Sequence, residues 1–388
     1  MKRTSRRRFL GDSIGLSAGF QIVKRLDSAE ARDSPGTNES QQATNPLPGT
    51  RPLTATGDLA ALMVDGIRAY LLQATAASLD DRSRFWKRDF TSARAYQDFV
   101  APNRERLRKI IGAVDPRVPA PGLRITAASA ASAELARTAR FKVYAVRWEV
   151  CSAATGDYSP LEGEGLLLEP AGRARARVVA VPDADWTPEA AVGLAPGAPA
   201  AAQFPRKLAE SGCQVIVPVV IDRSDKWSGI TGVKMTNQPH REWIYRMAFE
   251  AGRHIIGFEV QKILAAIDWF NEENKSQPLP LGVFGYGEGG LLALYAAALD
   301  LRIRAAGVSG YFQSRQQLWK EPIYRDVWGL LREFGDAEIA GLIAPRGLVV
   351  EACASPVVSG PPPARENREN AACPNGTLML ADPGCPFP

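Results

Sequence analysis

Apolar positions along the chain change rhythm near residue 138, and the change separates two kinds of structure. Between 58 and 78, Leu59, Leu62, Met63, Ile67, Tyr70 and Leu71 recur at helical spacing. Tyr96, Phe99, Leu107, Ile110 and Ile111 repeat it over 94–112. Spacing of three to four residues stacks side chains on one helix face, which predicts a helical extension over 57–137. From 138 the pattern becomes short apolar runs alternating with helices. Strands are predicted at Phe141 to Val150, Gly165 to Leu168, Arg177 to Val181, Gln214 to Ile221, Leu279 to Phe284, Ile303 to Val308 and Gly347 to Val350. Helices are predicted at 200–211, 242–271, 288–299 and 323–342. Uninterrupted β-branched runs such as 214–221 imply burial on both faces, as in parallel sheets. The alternation predicts an α/β fold, a doubly wound and mostly parallel sheet with right-handed crossovers, over 138–355.

Composition adjusts this picture mainly at the ends. The chain carries 47 basic and 42 acidic residues, a net charge of +5. Residues 1–31 hold seven of the basic and three of the acidic ones, so the remaining 40 and 39 nearly cancel. Nucleic acid as a partner has no electrostatic support. Thr4 to Leu10 has the form of a twin-arginine export signal. A weakly apolar stretch follows, and Ala29-Glu30-Ala31 offers a cleavage site. The expectation is export to the periplasm or beyond, with no membrane span, because no segment approaches about 20 apolar residues. Residues 32–56, rich in Ser, Pro, Thr, Asn and Gly, read as a flexible linker. The five cysteines form no CxxC pair and only two histidines exist, so no metal site and no cofactor are expected.

The chemistry is concentrated in Gly285-Tyr286-Gly287-Glu288-Gly289-Gly290, at a strand-to-helix junction. Two motifs compete for it. One is the nucleophile elbow G-x-S-x-G, in which glycines permit a cramped turn that lifts the central side chain towards substrate. The other is G-x-G-x-x-G, matched by Gly285, Gly287 and Gly290, which would cradle a dinucleotide pyrophosphate. A dinucleotide site expects an acid at the end of the next strand. That strand ends Val308-Ser309-Gly310-Tyr311, which favours the elbow and leaves a dinucleotide-binding oxidoreductase as an alternative.

With these residues, the chain resembles the α/β-hydrolases of the dienelactone hydrolase and acetyl-xylan-esterase-like group found among exported bacterial proteins. The resemblance spans about 140–355. It rests on FGYGEGGLLALYAAALD from Phe284, on the helix ending Ala265 to Trp269, and on the late IAPRGLVVE strand. It implies an α/β-hydrolase fold and, if active, an esterase acting on a small-molecule ester or carboxylate. It also implies a nucleophile at 287, an acid at the end of the late strand and a histidine beyond it. Gly287 leaves the nucleophile position vacant, and no histidine follows His254. Glu351 occupies the acid position. The oxyanion donors would be the N–H of Glu288 and one from the loop around Asp183 to Trp186, since backbone donors survive loss of a side chain.

The remaining candidates each have a plainer reading. Glu288 is a substitute catalytic carboxylate or an acid favoured by its helix dipole. Glu351 is a catalytic acid or a loop tether. His240 is a replacement base or a solvent-facing loop residue. His254 reads as a packing residue inside a long helix. Asp222 and Ser309 end strands on the ligand-binding edge of such sheets. The tail from 356 is rich in Pro and Cys, so the last strand and helix of the fold are expected to be missing. The 348–350 strand would then be an exposed edge prone to self-association. A pseudoenzyme binding a carboxylate or sugar is the alternative to an esterase.

Overall fold

The structure, a computed structural model, describes residues 48–49, 57–126, 133–152, 160–228 and 238–358. The expected export signal, nearly all of the expected linker, and the tail from 359 lie outside the described residues. The chain divides at Leu59 into two units, and the second, Ala60–Pro388, carries the fold.

Helices α1 (Leu59–Asp81) and α2 (Ala93–Ile110) come first, then strands β1 (Leu123–Ile125), β2 (Glu134–Arg137), β3 (Phe141–Cys151), β4 (Leu161–Pro170) and β5 (Ala176–Val181). Helices α3 (Pro188–Val192) and α4 (Phe204–Glu210) precede β6 (Cys213–Pro218). Helices α5 (His240–Phe249) and α6 (Ile255–Glu273) precede β7 (Leu281–Tyr286), and α7 (Glu288–Leu299) precedes β8 (Ile303–Ser309). Helix α8 (Asp336–Gly341) and β9 (Gly347–Glu351) follow. The sheet runs β1-β3-β4-β6-β5-β7-β8-β9, with β2 paired to β3. Pairs from β6 through β9 are parallel, and those from β1 through β6 by way of β3 and β4 are antiparallel.

Alternation along each strand sorts the core into two layers. Val146, Trp148, Leu167, Val179, Val181, Ile216 and Val283 face the layer that holds α2, α6 and α7. Phe141, Val143, Leu166, Leu168, Ala180, Val215 and Val217 face the layer that holds α3 and α4. Helices therefore cover both faces, as the apolar runs predict. Helix α7 is buried nearly throughout because its sequence after Gly290 is almost entirely Ala and Leu. Phe270 of α6 is fully buried, and its truncation to Ala would cost about 3–5 kcal/mol.

Several elements depart from expectation. The extension over 57–137 is not wholly helical, since β1 and β2 lie within it and join the sheet. The helix expected over 242–271 is two, α5 and α6. Gly252, at φ +67°, takes a left-handed conformation that ends the first, and His254 starts the second as its N-cap rather than sitting mid-helix. Its Nδ1 accepts from the N–H of Ile256 at 3.1 Å. The stretch 323–342 is mostly short 3₁₀ turns, broken at Gly329 with φ +70°, before the brief α8. Among the described residues β9 is the sheet edge, with Val349 66% exposed. The C-terminal ends of the parallel strands share one rim, where loops after β5 through β9 converge, and ligands of such sheets bind at that rim.

Candidate functional site

The segment 285–290 turns from β7 into α7, as the elbow reading requires. Gly287 has φ 59° and ψ −120° and is the N-cap of α7. Its N–H donates to the Ser309 carbonyl at 2.9 Å, and its carbonyl accepts from Gly290 at 3.0 Å. A Cβ at Gly285 would collide with the Gly289 carbonyl, and one at Gly289 with the Val181 carbonyl. These glycines are therefore fixed by close backbone approach, the packing reason that G-x-S-x-G carries them.

The space above Gly287 is filled. A Cβ there would overlap Asp183 Oδ1 and lie 2.7 Å from Pro356 Cγ. Asp183, 2% exposed, accepts the Glu288 N–H at 2.8 Å through that same Oδ1. An internal carboxylate thus holds the backbone donor that an esterase would aim at its oxyanion. Arg223 grips Asp183 with two N–H groups, at 2.7 and 3.1 Å, and reaches Asp185 at 2.9 Å. Burial pushes the Asp183 pKa up, but the bonds and charge of Arg223 and the Glu288 N–H together hold it below the usual range. Trp186 stacks on Tyr286 at 5.0 Å between ring centroids, and the Tyr286 hydroxyl donates to the Ala354 carbonyl.

Beneath the elbow, Glu288 points inward and is fully buried. Arg325 donates to its Oε2 at 2.8 and 3.1 Å, Arg223 to the same oxygen at 3.3 Å, and Arg241 to Oε1 at 3.1 Å. Arg241 also pairs with Glu259, and Arg325 with Glu321 at 3.0 Å. Burial raises the Glu288 pKa, and three guanidinium charges outweigh it, so the carboxyl sits far below its ordinary value. A group held ionised this firmly neither donates a proton near neutral pH nor accepts one readily.

The other candidates form separate pairs. Ser309 and Glu351 face each other across β8 and β9, and the Ser309 hydroxyl donates to Glu351 Oε2 at 2.5 Å, with Cys353 Sγ at 3.2 Å. His240 and Asp222 form another: Nδ1 lies 2.6 Å from Asp222 Oδ1, while Nε2 accepts the Trp227 N–H at 2.8 Å. Both ring nitrogens are engaged, so His240, the first residue of α5 rather than a loop residue, has no free lone pair for a substrate proton. His254 is similarly occupied, its Nε2–H donating to the Asp326 carbonyl at 3.0 Å. Burial drives its pKa down to about 4. Asp222 binds His240 and Ser224 rather than lining a pocket with Glu288. Among the described residues no group of three or more His, Cys, Asp or Glu is placed to hold a metal ion.

The structure brings Asp183, Gly287 and Glu288 to one place. Four residues that define their environment, Arg223, Arg241, Glu259 and Arg325, are not among the sequence candidates. The available signal was charge inside strongly apolar contexts, such as Glu259 within Ile255 to Leu264.

This topology, with a glycine elbow between the central strand β7 and α7, defines the α/β-hydrolase fold. No family model matches the sequence. YtaP of Bacillus subtilis (strain 168), named as a hydrolase, is 31% identical over 109 residues, 26% of this chain and 36% of that protein. The match thus covers about a third of that relative's length. A crystal structure of a Bacteroides fragilis protein named as an acetyl xylan esterase superposes with a TM-score of 0.50 at 14% identity, over 71% of this chain and 73% of that one. A glucuronoyl esterase from Solibacter usitatus gives 0.44 at 15% identity, over 67% and 75%.

Proposed function

We propose that this chain is a non-hydrolytic α/β-hydrolase-fold protein, a pseudoenzyme whose rim holds a sugar ligand without covalent chemistry. One observation carries the reading: the Asp183 carboxylate occupies the Glu288 N–H at the point where a nucleophile would project from residue 287. The same carboxylate disfavours a dinucleotide, because a pyrophosphate at this helix start would meet a fixed negative charge. The test is reaction with a fluorophosphonate probe together with p-nitrophenyl acetate turnover. Neither labelling nor turnover above a heat-denatured control is expected, and stoichiometric labelling would end the proposal.

A specific contact favours a second reading. Ser309 and Glu351 form a short hydroxyl–carboxylate pair beside the elbow, an arrangement in which Glu351 takes the serine proton and supports weak esterase activity on small esters. Turnover lost in both Ser309→Ala and Glu351→Gln would favour this reading over the first. The proposal includes export, with residues 1–31 acting as a twin-arginine signal that directs the protein to the periplasm or outside the cell. Among the described residues no helix is long and apolar enough to cross a membrane. Self-association through the β9 edge belongs to the same proposal and is tested by Val349→Lys.

A further inference from the structure

At the end of the sheet opposite the elbow, where β7 and β8 begin, the surface opens into a cavity of about 540 Å³. One wall is the 113–120 segment between α2 and β1. The other is formed by the last turns of α6 and by Arg302, just ahead of β8. The 113–120 segment is held rigidly. Pro116 and Pro119 each fix a φ angle. Arg253 grips the Asp115 carboxylate at 2.6–3.2 Å, Gln261 donates to the Asp115 carbonyl at 3.1 Å, and the Val118 N–H donates to the Val150 carbonyl at 2.9 Å. Ala120 ends the segment at φ +49°, a left-handed conformation that is strained for a residue with a Cβ, and such strain collects at binding sites.

Two arginines of the cavity wall share one carboxylate. Arg117 donates to Asp268 Oδ2 through Nε at 2.7 Å and to Oδ1 through Nη2 at 3.4 Å. Arg302 donates to Asp268 Oδ1 through Nη2, and its Nε is held on Asp300 at 3.0 Å. Among the described residues Nη1 of each arginine makes no hydrogen bond, and neither does the Asn271 side chain that lines the same cavity. A guanidinium has five N–H groups and no acceptor, so two of them fixed along one edge keep uncommitted donors in a set orientation. We propose that this cavity binds a small monocarboxylate with an apolar body. Its carboxylate sits between Arg117 and Arg302, and its body lies against Val114, Pro116 and Pro119. Guanidinium donors match the two oxygens of a carboxylate, and the volume falls within the roughly 300–1,000 Å³ of small-molecule sites. Charge decides between a carboxylate and a phosphate. Arg108, Arg117 and Arg302 are balanced in the wall by Asp115, Asp268 and Glu272. Directed hydrogen bonds can hold a single negative charge there, whereas a phosphate dianion meets no excess of cations. The site is independent of what the rim holds.

The test is saturation-transfer NMR of the full chain titrated with benzoate, with melting temperatures measured alongside. Benzoate is expected to bind with a Kd of about 1 mM, the affinity that about nine non-hydrogen atoms give at ordinary efficiency. Arg117→Gln is expected to weaken binding about 10–100-fold through loss of charge-assisted hydrogen bonds. Asn271 makes no hydrogen bond among the described residues, so Asn271→Trp fills the cavity without breaking one. That variant is expected to abolish binding at an unchanged melting temperature, and it decides the matter where Arg117→Gln fails to fold. Absence of saturation transfer at about 20 mM benzoate overturns the proposal. Binding that survives Asn271→Trp also overturns it, because the ligand then sits elsewhere. Benzyl alcohol bound as tightly as benzoate overturns recognition of the carboxylate. Displacement of benzoate by an equal concentration of inorganic phosphate overturns it in favour of a phosphate ligand.

Discussion

Substituting Gly287 by Ala should destabilise the protein through two separable effects. A non-glycine residue at φ 59°, ψ −120° carries backbone strain of about 1–3 kcal/mol. The new methyl group overlaps Asp183 Oδ1 and crowds the Pro356 ring, and overpacking of this kind costs about 1–3 kcal/mol more. The sum, about 2–6 kcal/mol, is a large part of an ordinary domain's stability. The two contributions separate in a double-mutant cycle with Asp183→Ala. Removing the carboxylate relieves the overlap with Asp183 but leaves the backbone strain and the Pro356 contact, so Gly287→Ala should cost less in the Asp183→Ala background, by part of that overpacking cost, about 1–2 kcal/mol. Urea unfolding followed by tryptophan fluorescence measures all four corners. Equal costs in both backgrounds would refute the overlap, and a Gly287→Ala protein as stable as wild type would refute the strained elbow as well.

Three further outcomes are expected. Glu288→Gln leaves three buried guanidinium groups one anion short and should destabilise by about 3–5 kcal/mol, read by the same urea titration. His254 has a folded pKa near 4 against 6.5 ordinarily. Its contribution is complete above about pH 6.5 and is lost as pH falls towards 4, while Asp326, raised to about 7 by burial, loses its contribution as pH rises from about 4 to 7. Their slopes oppose, so His254→Asn, which keeps an N-cap acceptor, should remove the acid-side loss, seen as a stability difference from wild type that shrinks between pH 7 and 4.5. Finally, Arg6→Lys/Arg7→Lys should abolish appearance of the protein in a periplasmic fraction, measured by immunoblot.

The fold was legible because burial writes itself into sequence with the period of each element. Strands β3 to β9 stand within a few residues of their apolar runs, and α7 was bounded by Gly287 and Asp300. Elements without such a period were not legible. Strands β1 and β2 are three and four residues long with mostly exposed or half-exposed side chains, so they carry no core signal. The break between α5 and α6 is a backbone event at Gly252 that leaves the apolar spacing nearly unchanged. At the site, the vacancy at 287 was visible because it is a local substitution in a local motif. Its filling was not, because Asp183 and Arg223 arrive from loops 104 and 64 residues away in sequence. A charged residue has no periodic pattern that names its partner.

The arginine–carboxylate lattice has a dynamic consequence for the rim. It ties the β5 loop, the β6 loop, α5, α6, the start of α7 and the 321–325 turn to one another through ionic contacts. Withdrawing any one of them strands charge in an apolar interior, so none has an inexpensive excursion of its own. In amide hydrogen exchange, these six segments should deprotect at a common rate, as a single cooperative block, while β9 and the free length of α1 exchange ahead of them.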